Sequence, residues 1–395
     1  MTATAADVQE FARARGAYYL HSRPYRERVI PPPDDWQGWL AEVFPSYLWP
    51  PYAAYHAEFW EWVWGIEDGK QARPFIAVWP RGFTKSTSAE TAVAMLAARR
   101  LRRRYVLYVS SSQEQADLHV ANVAGMLEST AFGPHFAETA RRKLGKYGSS
   151  QGWRRNRLRT ASGFTLDALG LDVAIRGARV DEARPDLIVL DDIDELLDSP
   201  GTVAKKEQII TKSILPARAA HGTVLVAQNM VHADGIVARL ASTKADYLAD
   251  RIVSGPHPAI VGMVTEQRDG RAVIVSGEST WAAKTIADLQ LEMDEIGESA
   301  FRSEKQHEVD VFVGGIFAHV AFRRCRWDEV PPLDRVVVWC DPAVTDTEQS
   351  DAHGIQADGC AEDPDLLVGD PDGGVVRGER TVVLQRNAAR LDRVL

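Results

Sequence analysis

The chain has 395 residues, 45% of them hydrophobic and 26% charged, a globular composition with room for two domains that excludes a fibrous or wholly disordered chain. No apolar run is long enough to span a bilayer, and the start, MTATAADVQEFARARG, lacks the charged-then-apolar pattern of a secretory signal. A net charge of −9 argues against wholesale polyanion binding, and three cysteines without CxxC spacing (Cys325, Cys340, Cys360) fit a reducing compartment rather than a disulfide framework or structural zinc.

Residues 1 to about 70 read as a helical lead-in interrupted at Pro31–Pro33. Within it, Pro51–Trp64, PYAAYHAEFWEWVW, carries aromatics at helical spacing, most of them core. Phe75–Pro80 is strand-like and ends in a loop carrying Arg81, Gly82, Lys85, Ser86 and Thr87, followed by a helix over Lys85–Arg100. A lysine and hydroxyl after a strand are what a phosphate-binding loop needs. The loop departs from G-x-x-x-x-G-K-[ST], with Trp79 at the first glycine and Thr84 at the second. Taken alone, it fits equally a strand–turn–helix with a surface lysine.

Tyr105–Ser110 reads as the next strand and Gln113–Ser129 as the next helix. Arg99–Arg104, RRLRRR, is a basic run that serves equally as a solvated face. From Arg141 to Arg159 the chain adds Arg142, Lys143, Lys146, Arg154, Arg155 and Arg157, with no acid between Thr139 and Leu166. Interleaved glycines and serines suggest a loop that meets DNA phosphates. Leu187–Asp191 is a short apolar strand ending in paired acids, Asp191 and Asp192; the plainer reading is a helix cap. With the phosphate-type loop in the same chain, an NTPase is favoured: lysine and backbone N–H groups on the phosphates, the hydroxyl and one acid on Mg²⁺, a second acid on water. Thr223–Ala227 is a further strand, and the alternation implies an α/β fold with a parallel sheet covered on both faces. Beyond Val330–Pro332, Arg335–Cys340, RVVVWC, is a strand ending in Asp341, which is either a metal-site carboxylate or the opening of a turn before Pro342.

Taken in order, these segments resemble the large subunit of tailed-phage terminases, the motor that packages DNA into a procapsid. PRGFTKST (Pro80–Thr87) resembles the family's deviant phosphate loop. IRGARVDEARPDLIVLDDID (Ile175–Asp194) is the most specific match. Ala227–Leu240 resembles the coupling segment, Ser279–Glu308 the end of the motor domain, and Val336–Asp346 the opening of the nuclease domain. The resemblance implies a P-loop NTPase-type (ASCE-like) parallel sheet with flanking helices in a motor domain over 1–330. The beginning of an RNase H-like nuclease domain would follow over 331–395.

The resemblance also implies roles. ATP would be held by Arg81, Gly82, Thr84, Lys85, Ser86 and Thr87, with Tyr52 and His56 near the adenine and Gln228 and Asn229 sensing the γ-phosphate; the plainer role for those two strand-end amides is to cap the helix that follows. Mg²⁺ would lie at Ser86 and Asp191. Asp192 would activate water, with Asp194 and Glu195 as alternatives. Arg81 in cis, or Arg176 in trans from a neighbour in a ring, would stabilise the transferred phosphoryl; a salt bridge to Asp181 or Glu182 is the plainer role for Arg176. Asp341 would be a nuclease-metal ligand, for Mg²⁺ or Mn²⁺. Expected partners are double-stranded DNA, a portal protein, a small terminase subunit and further copies of the chain, in the host cytoplasm and not at a membrane. The chain ends at Leu395 within what resembles a second acid-bearing strand, so the remaining nuclease acids are expected to be absent and DNA cleavage with them. A helicase-like ATPase and a degenerate, non-hydrolysing DNA- or protein-binding remnant are the rival readings.

Overall fold

The structure is a computed structural model that describes residues 32–48, 50–99, 103–173 and 183–309, together with the backbone of three strands over 335–341, 354–369 and 375–385. Two compact units divide at Gly315 and Ile316. The expected boundary near 330 lies outside the described residues.

The first unit opens with helices α1 (Trp36–Glu42) and α2 (Ala54–Gly65), then alternates β1 (Phe75–Ala77), α3 (Lys85–Ala98), β2 (Tyr105–Ser110) and α4 (Gln113–Leu127). A short helix α5 (Ala137–Ala140) leads to β3 (Arg157–Arg159), β4 (Thr165–Gly170), β5 (Leu187–Asp191), α6 (Pro200–Ile209), β6 (Thr223–Ala227), α7 (Ile236–Ala241) and β7 (Ile252–Ser254). A hairpin of β8 (Ile260–Arg268) and β9 (Arg271–Ser279) precedes α8 (Ile286–Ile296) and α9 (Glu298–Gln306). No described helix is long and apolar enough to cross a membrane.

Seven strands form one sheet in the order β3-β4-β2-β5-β6-β1-β7, parallel except for the edge strand β3. The central strands alternate strictly between two apolar layers, as period-two side chains must. Phe75, Ala77, Val106, Tyr108, Leu187 and Val189 face one layer, and Ile76, Leu107, Val109, Ile188, Leu190 and Val226 face the other. Helices α2, α3 and α4 cover the first face, and α6 and α7 the second. Alanines on α3, KSTSAETAVAMLAA, let it run close to its neighbours, and almost its whole circumference is buried.

Strands β2, β5 and β6 match the expected ranges, while β1 stops at Ala77, short of Pro80. Between the strand that leads to the lysine loop (β1) and the strand that ends in the acids (β5), β6 is inserted and pairs in parallel with both. Their C-terminal ends therefore open on one edge, where parallel α/β sheets bind ligands.

The β8–β9 hairpin turns at Asp269 and Gly270, with φ of 53° and 78°, a type I′ turn matched to strand twist. Thr285 caps α8 and forms a reciprocal pair with Asp288. In the second unit β10 (Arg335–Asp341), β11 (Gly354–Gly369) and β12 (Val375–Gln385) form an antiparallel sheet in sequence order. There Asp341 ends β10, in register with Gly354.

Candidate active site

The loop after β1 replaces glycine freedom with aromatic anchorage. Trp79 is fully buried, its ring N–H 3.4 Å from Ser254 Oγ. Phe83 is also fully buried, with its ring centre 5.7 Å from that of Trp281. Gly82 has φ of +78°, and Thr84, standing where a glycine is usual, has φ of +63°. That left-handed conformation is unfavourable for a β-branched side chain and must be held by its surroundings.

His56 supplies part of the hold. Its Nδ1 accepts the Ala53 N–H at 3.1 Å, so the ring proton is on Nε2, which donates to the Phe83 carbonyl at 3.2 Å and lies 3.3 Å from Thr84 Oγ1. Burial pushes its pKa down to about 4, the Phe83 bond opposing, so the ring is neutral. His56 thus braces the loop from below rather than presenting a free edge to a base. Tyr52 sits edge-on to Trp36 at 5.3 Å and lines a recess of about 10 Å³ beside Thr84 and Ser88.

Lys85 opens α3, where first-turn N–H groups have no intrahelical acceptor and favour anions. Its side chain is buried and Nζ donates to the Pro80 carbonyl at 3.3 Å. Burial lowers its pKa, and the charges of Asp192 and Asp191 oppose that. One residue on, Ser86 Oγ donates to Asp191 Oδ1 at 3.0 Å across 105 residues of sequence. Thr87 completes the first turn, its carbonyl accepting from Thr91 Oγ1 at 2.7 Å.

Asp191 is fully buried at the end of β5. Tyr108 donates its hydroxyl to Oδ2 at 2.6 Å, and His119 Nε2 lies 3.7 Å from the same oxygen. Burial raises the Asp191 pKa to about 6; neighbouring Asp192 adds to the rise, and His119, Tyr108 and Ser86 oppose it. For His119 burial disfavours the charge, but the Glu90 bond and the charges of Asp191, Glu90 and Asp192 outweigh it and the pKa is raised.

A buried carboxylate 3.0 Å from a hydroxyl, with its charge disfavoured by desolvation, gains from a nearby cation. Mg²⁺ in nucleotide sites is held by one or two carboxylates plus phosphates and water, and Ser86 with Asp191 fits that donor set. Among the described residues no three His, Cys, Asp or Glu converge into an all-protein metal cage.

Asp192 follows with φ of +48° and an exposed side chain. Its N–H donates to the Ala227 carbonyl at 3.3 Å, and its carbonyl accepts the Ser111 N–H at 3.2 Å. Of the alternatives to it, Asp194 is committed elsewhere, capping α7 through the N–H groups of Ile236 and Val237 at 3.0 and 2.9 Å. Glu195 lies 3.5 Å from Lys206.

Gln228 turns its amide to the acid loop. Its Oε1 accepts the N–H groups of Ile193 and Asp194 at 2.8 and 3.0 Å, and its Nε2 donates to the Asp194 carbonyl at 2.7 Å. It is a brace, not a free amide. Asn229 donates instead to Glu304 Oε2 at 3.0 Å, and Arg81 reaches the same oxygen at 3.4 Å. From α9, Lys305 Nζ donates to the Arg81 carbonyl at 2.7 Å. Arg176 lies outside the described residues, and of Asp341 only the strand position is described.

Sequence reasoning passed over Tyr108, His119, Glu90, Glu304 and Lys305. One signal was present: Glu90 is the only acid in the alanine-rich run of α3, where the helix is buried all round.

No protein-family model matches this sequence, and no curated protein matches it. Among solved structures the chain is similar to the ATPase domain of the Thermus phage P74-26 large terminase. In a mutant form of that domain the match has 12% identity and covers 71% of this chain and 100% of that one, at a TM-score of 0.44. It is also similar to the HK97 bacteriophage large terminase, with 12% identity over 83% of this chain and 65% of that one, at a TM-score of 0.45.

Proposed function

We propose that the chain is a Mg²⁺-dependent ATPase of the terminase large-subunit type, a motor that moves double-stranded DNA. The observation that carries the ATPase reading is the 3.0 Å bond from Ser86 Oγ to Asp191 Oδ1, which joins the hydroxyl of the phosphate-type loop to the acid-bearing strand. Lys85 and the first-turn N–H groups of α3 would hold the β- and γ-phosphates, with Gly82, Thr84 and Thr87 shaping the loop. The metal, held by Ser86 and Asp191, would neutralise charge on the phosphate oxygens. Asp192 would accept a proton from the attacking water as the bond to the β–γ bridging oxygen breaks, releasing ADP and phosphate. Arg81, and Arg176 from a neighbouring copy, would stabilise the charge of the transferred group. Asn229 would register the γ-phosphate.

Lys85→Ala is expected to lose nucleotide binding. Asp192→Asn is expected to keep binding and to lose at least about a hundredfold in kcat. Equilibrium binding of a fluorescent ATP analogue alongside phosphate release checks both. Wild-type hydrolysis by Lys85→Ala would remove the loop from the mechanism, and no hydrolysis by the wild-type chain would favour a non-hydrolysing remnant.

The DNA reading is supported by the segment between α5 and β3. Leu144 pairs with Ser150 across a tight excursion, with Tyr147 89% exposed at its tip beside Lys146. Three arginines of the stretch are spent on acids: Arg142 on Glu128, Arg155 on Asp117 and Arg157 on Asp167. Lys146 and Arg154 are exposed and suit phosphate contacts that carry no sequence information. A portal protein, a small terminase subunit and a ring of further copies are the partners this reading implies. Residues 331–395 would supply nuclease-type structure, with Asp341 at a strand end. One identified carboxylate falls short of a two-metal site.

A further inference from the structure

Behind Asp191 lies a buried polar group that the proposed mechanism does not use. Glu90 sits on α3 one turn beyond Ser86 and is 5% exposed. His119 Nδ1 is 2.7 Å from Glu90 Oε1, which also accepts from Asn122 Nδ2 at 2.8 Å. The His119 ring stacks on Tyr108, centres 4.5 Å apart and planes 22° apart. Each of these elements then reaches Asp191 Oδ2, the tyrosine hydroxyl at 2.6 Å and the imidazole Nε2 at 3.7 Å.

The two oxygens of Asp191 therefore have different surroundings. Oδ2 faces inward to Tyr108 and His119, and Oδ1 faces Ser86. A carboxylate can turn about its last bond, and a site that needs one oxygen aimed at a cation loses affinity when that rotation is free. A ring held on one side by a carboxylate and on the other against a carboxylate ligand is the arrangement by which outer residues orient metal ligands. Here the anchor, Glu90, rides on the same helix as Ser86, so the hydroxyl and the frame that orients its partner move together.

We infer that Glu90, His119 and Tyr108 are positioning residues for a nucleotide-bound divalent cation: they fix Asp191 with Oδ2 inward, so that Oδ1 and Ser86 Oγ are aligned before the metal–nucleotide arrives. The inference rests on the ATPase reading and adds to it which residues set metal affinity. None of the three touches substrate.

The test is Mn²⁺ binding to the full chain by electron paramagnetic resonance, with ADP present, beside ADP binding in EDTA. His119→Ala is expected to weaken Mn²⁺ about tenfold or more while metal-free ADP affinity stays within about twofold. Glu90→Gln is expected to show a smaller loss in the same direction. The double variant should be no worse than His119→Ala, because both changes break one chain of contacts. Tyr108→Phe, which removes one oxygen and keeps the ring, covers the case in which His119→Ala does not fold, and is expected to lower Mn²⁺ affinity several-fold.

Wild-type Mn²⁺ affinity in folded His119→Ala, or in Tyr108→Phe where only that folds, would overturn the inference alone. So would an equal loss of metal-bound and metal-free ADP, which marks a packing effect. No Mn²⁺–ADP binding by the wild-type chain would remove the ATPase reading and this inference with it.

Discussion

At the scale of single residues, the unusual feature is a neutral histidine under a strained loop. The unfolded chain holds a proton on His56 below its ordinary value of 6.5, and the folded chain refuses it down to about 4. Unfolding therefore takes up a proton in that window, and His56 makes stability fall as pH falls from 6.5 towards 4. The full effect is about 3 kcal/mol. His307, also lowered to about 4 by burial, acts in the same direction. Asp191 acts oppositely: its folded pKa is raised, so its contribution is present at low pH and fades as pH rises through about 6. A bare pH profile mixes these terms, and a comparison with His56→Gln isolates one. The stability gap between wild type and His56→Gln, measured by urea unfolding, should shrink by up to about 3 kcal/mol between pH 7 and pH 4. A gap independent of pH would mean that His56 titrates alike in the folded and unfolded chain.

At the scale of elements, the loop after β5 is positioned by the strand beside it. Gln228, at the end of β6, satisfies two N–H groups and one carbonyl of residues 193 and 194. Gln228→Ala leaves those buried groups without partners, at a cost of about 3 kcal/mol. It also loosens the turn in which Asp192 holds its positive φ. Urea unfolding should report the loss, and kcat should fall by a larger factor than KM rises; unchanged kcat in folded protein would separate the brace from catalysis.

The strands themselves were legible. Tyr105–Ser110, Leu187–Asp191 and Thr223–Ala227 are apolar runs of five or six residues rich in β-branched or aromatic side chains, too short for a helix and suited to a buried strand. Lys85, Ser86 and Asp191 were legible because their chemistry follows directly on such runs. The partner of Gln228 was not legible, since strand-end amides look alike in sequence whether they meet phosphate or, as here, backbone. Glu304 and Lys305 were not legible as site residues: α9 reads as an ordinary charged helix until its fold returns it to Arg81. The β8–β9 hairpin carries its sequence signal in Asp269–Gly270, a pair that suits a type I′ turn.

At the scale of the whole molecule, the described residues of both apolar layers belong to the first unit, from Trp36 to Phe301. A ring would place another copy against this unit, and the proposed role of Arg176 is a claim about that neighbour. Mixing Arg176→Ala protein with Lys85→Ala protein should restore part of the ATPase rate, since each lacks a different half of a shared site. A mixture no more active than its components would return Arg176 to a contact within its own chain.

The bond between Ser86 and Asp191 also sets an order of events during synthesis and refolding. Lys85 to Asp192 are all made before β6, yet β6 is the strand that separates and aligns β1 and β5. A nascent chain that has not reached Thr223–Ala227 carries every one of those side chains and can pair β5 with β2, but lacks the strand that joins β1 to β5. Long-range parallel pairing is slow compared with helix formation. Helical circular dichroism should therefore return first after dilution from urea, with nucleotide binding appearing in a later phase; simultaneous recovery would mean that helices and sheet form in one cooperative step.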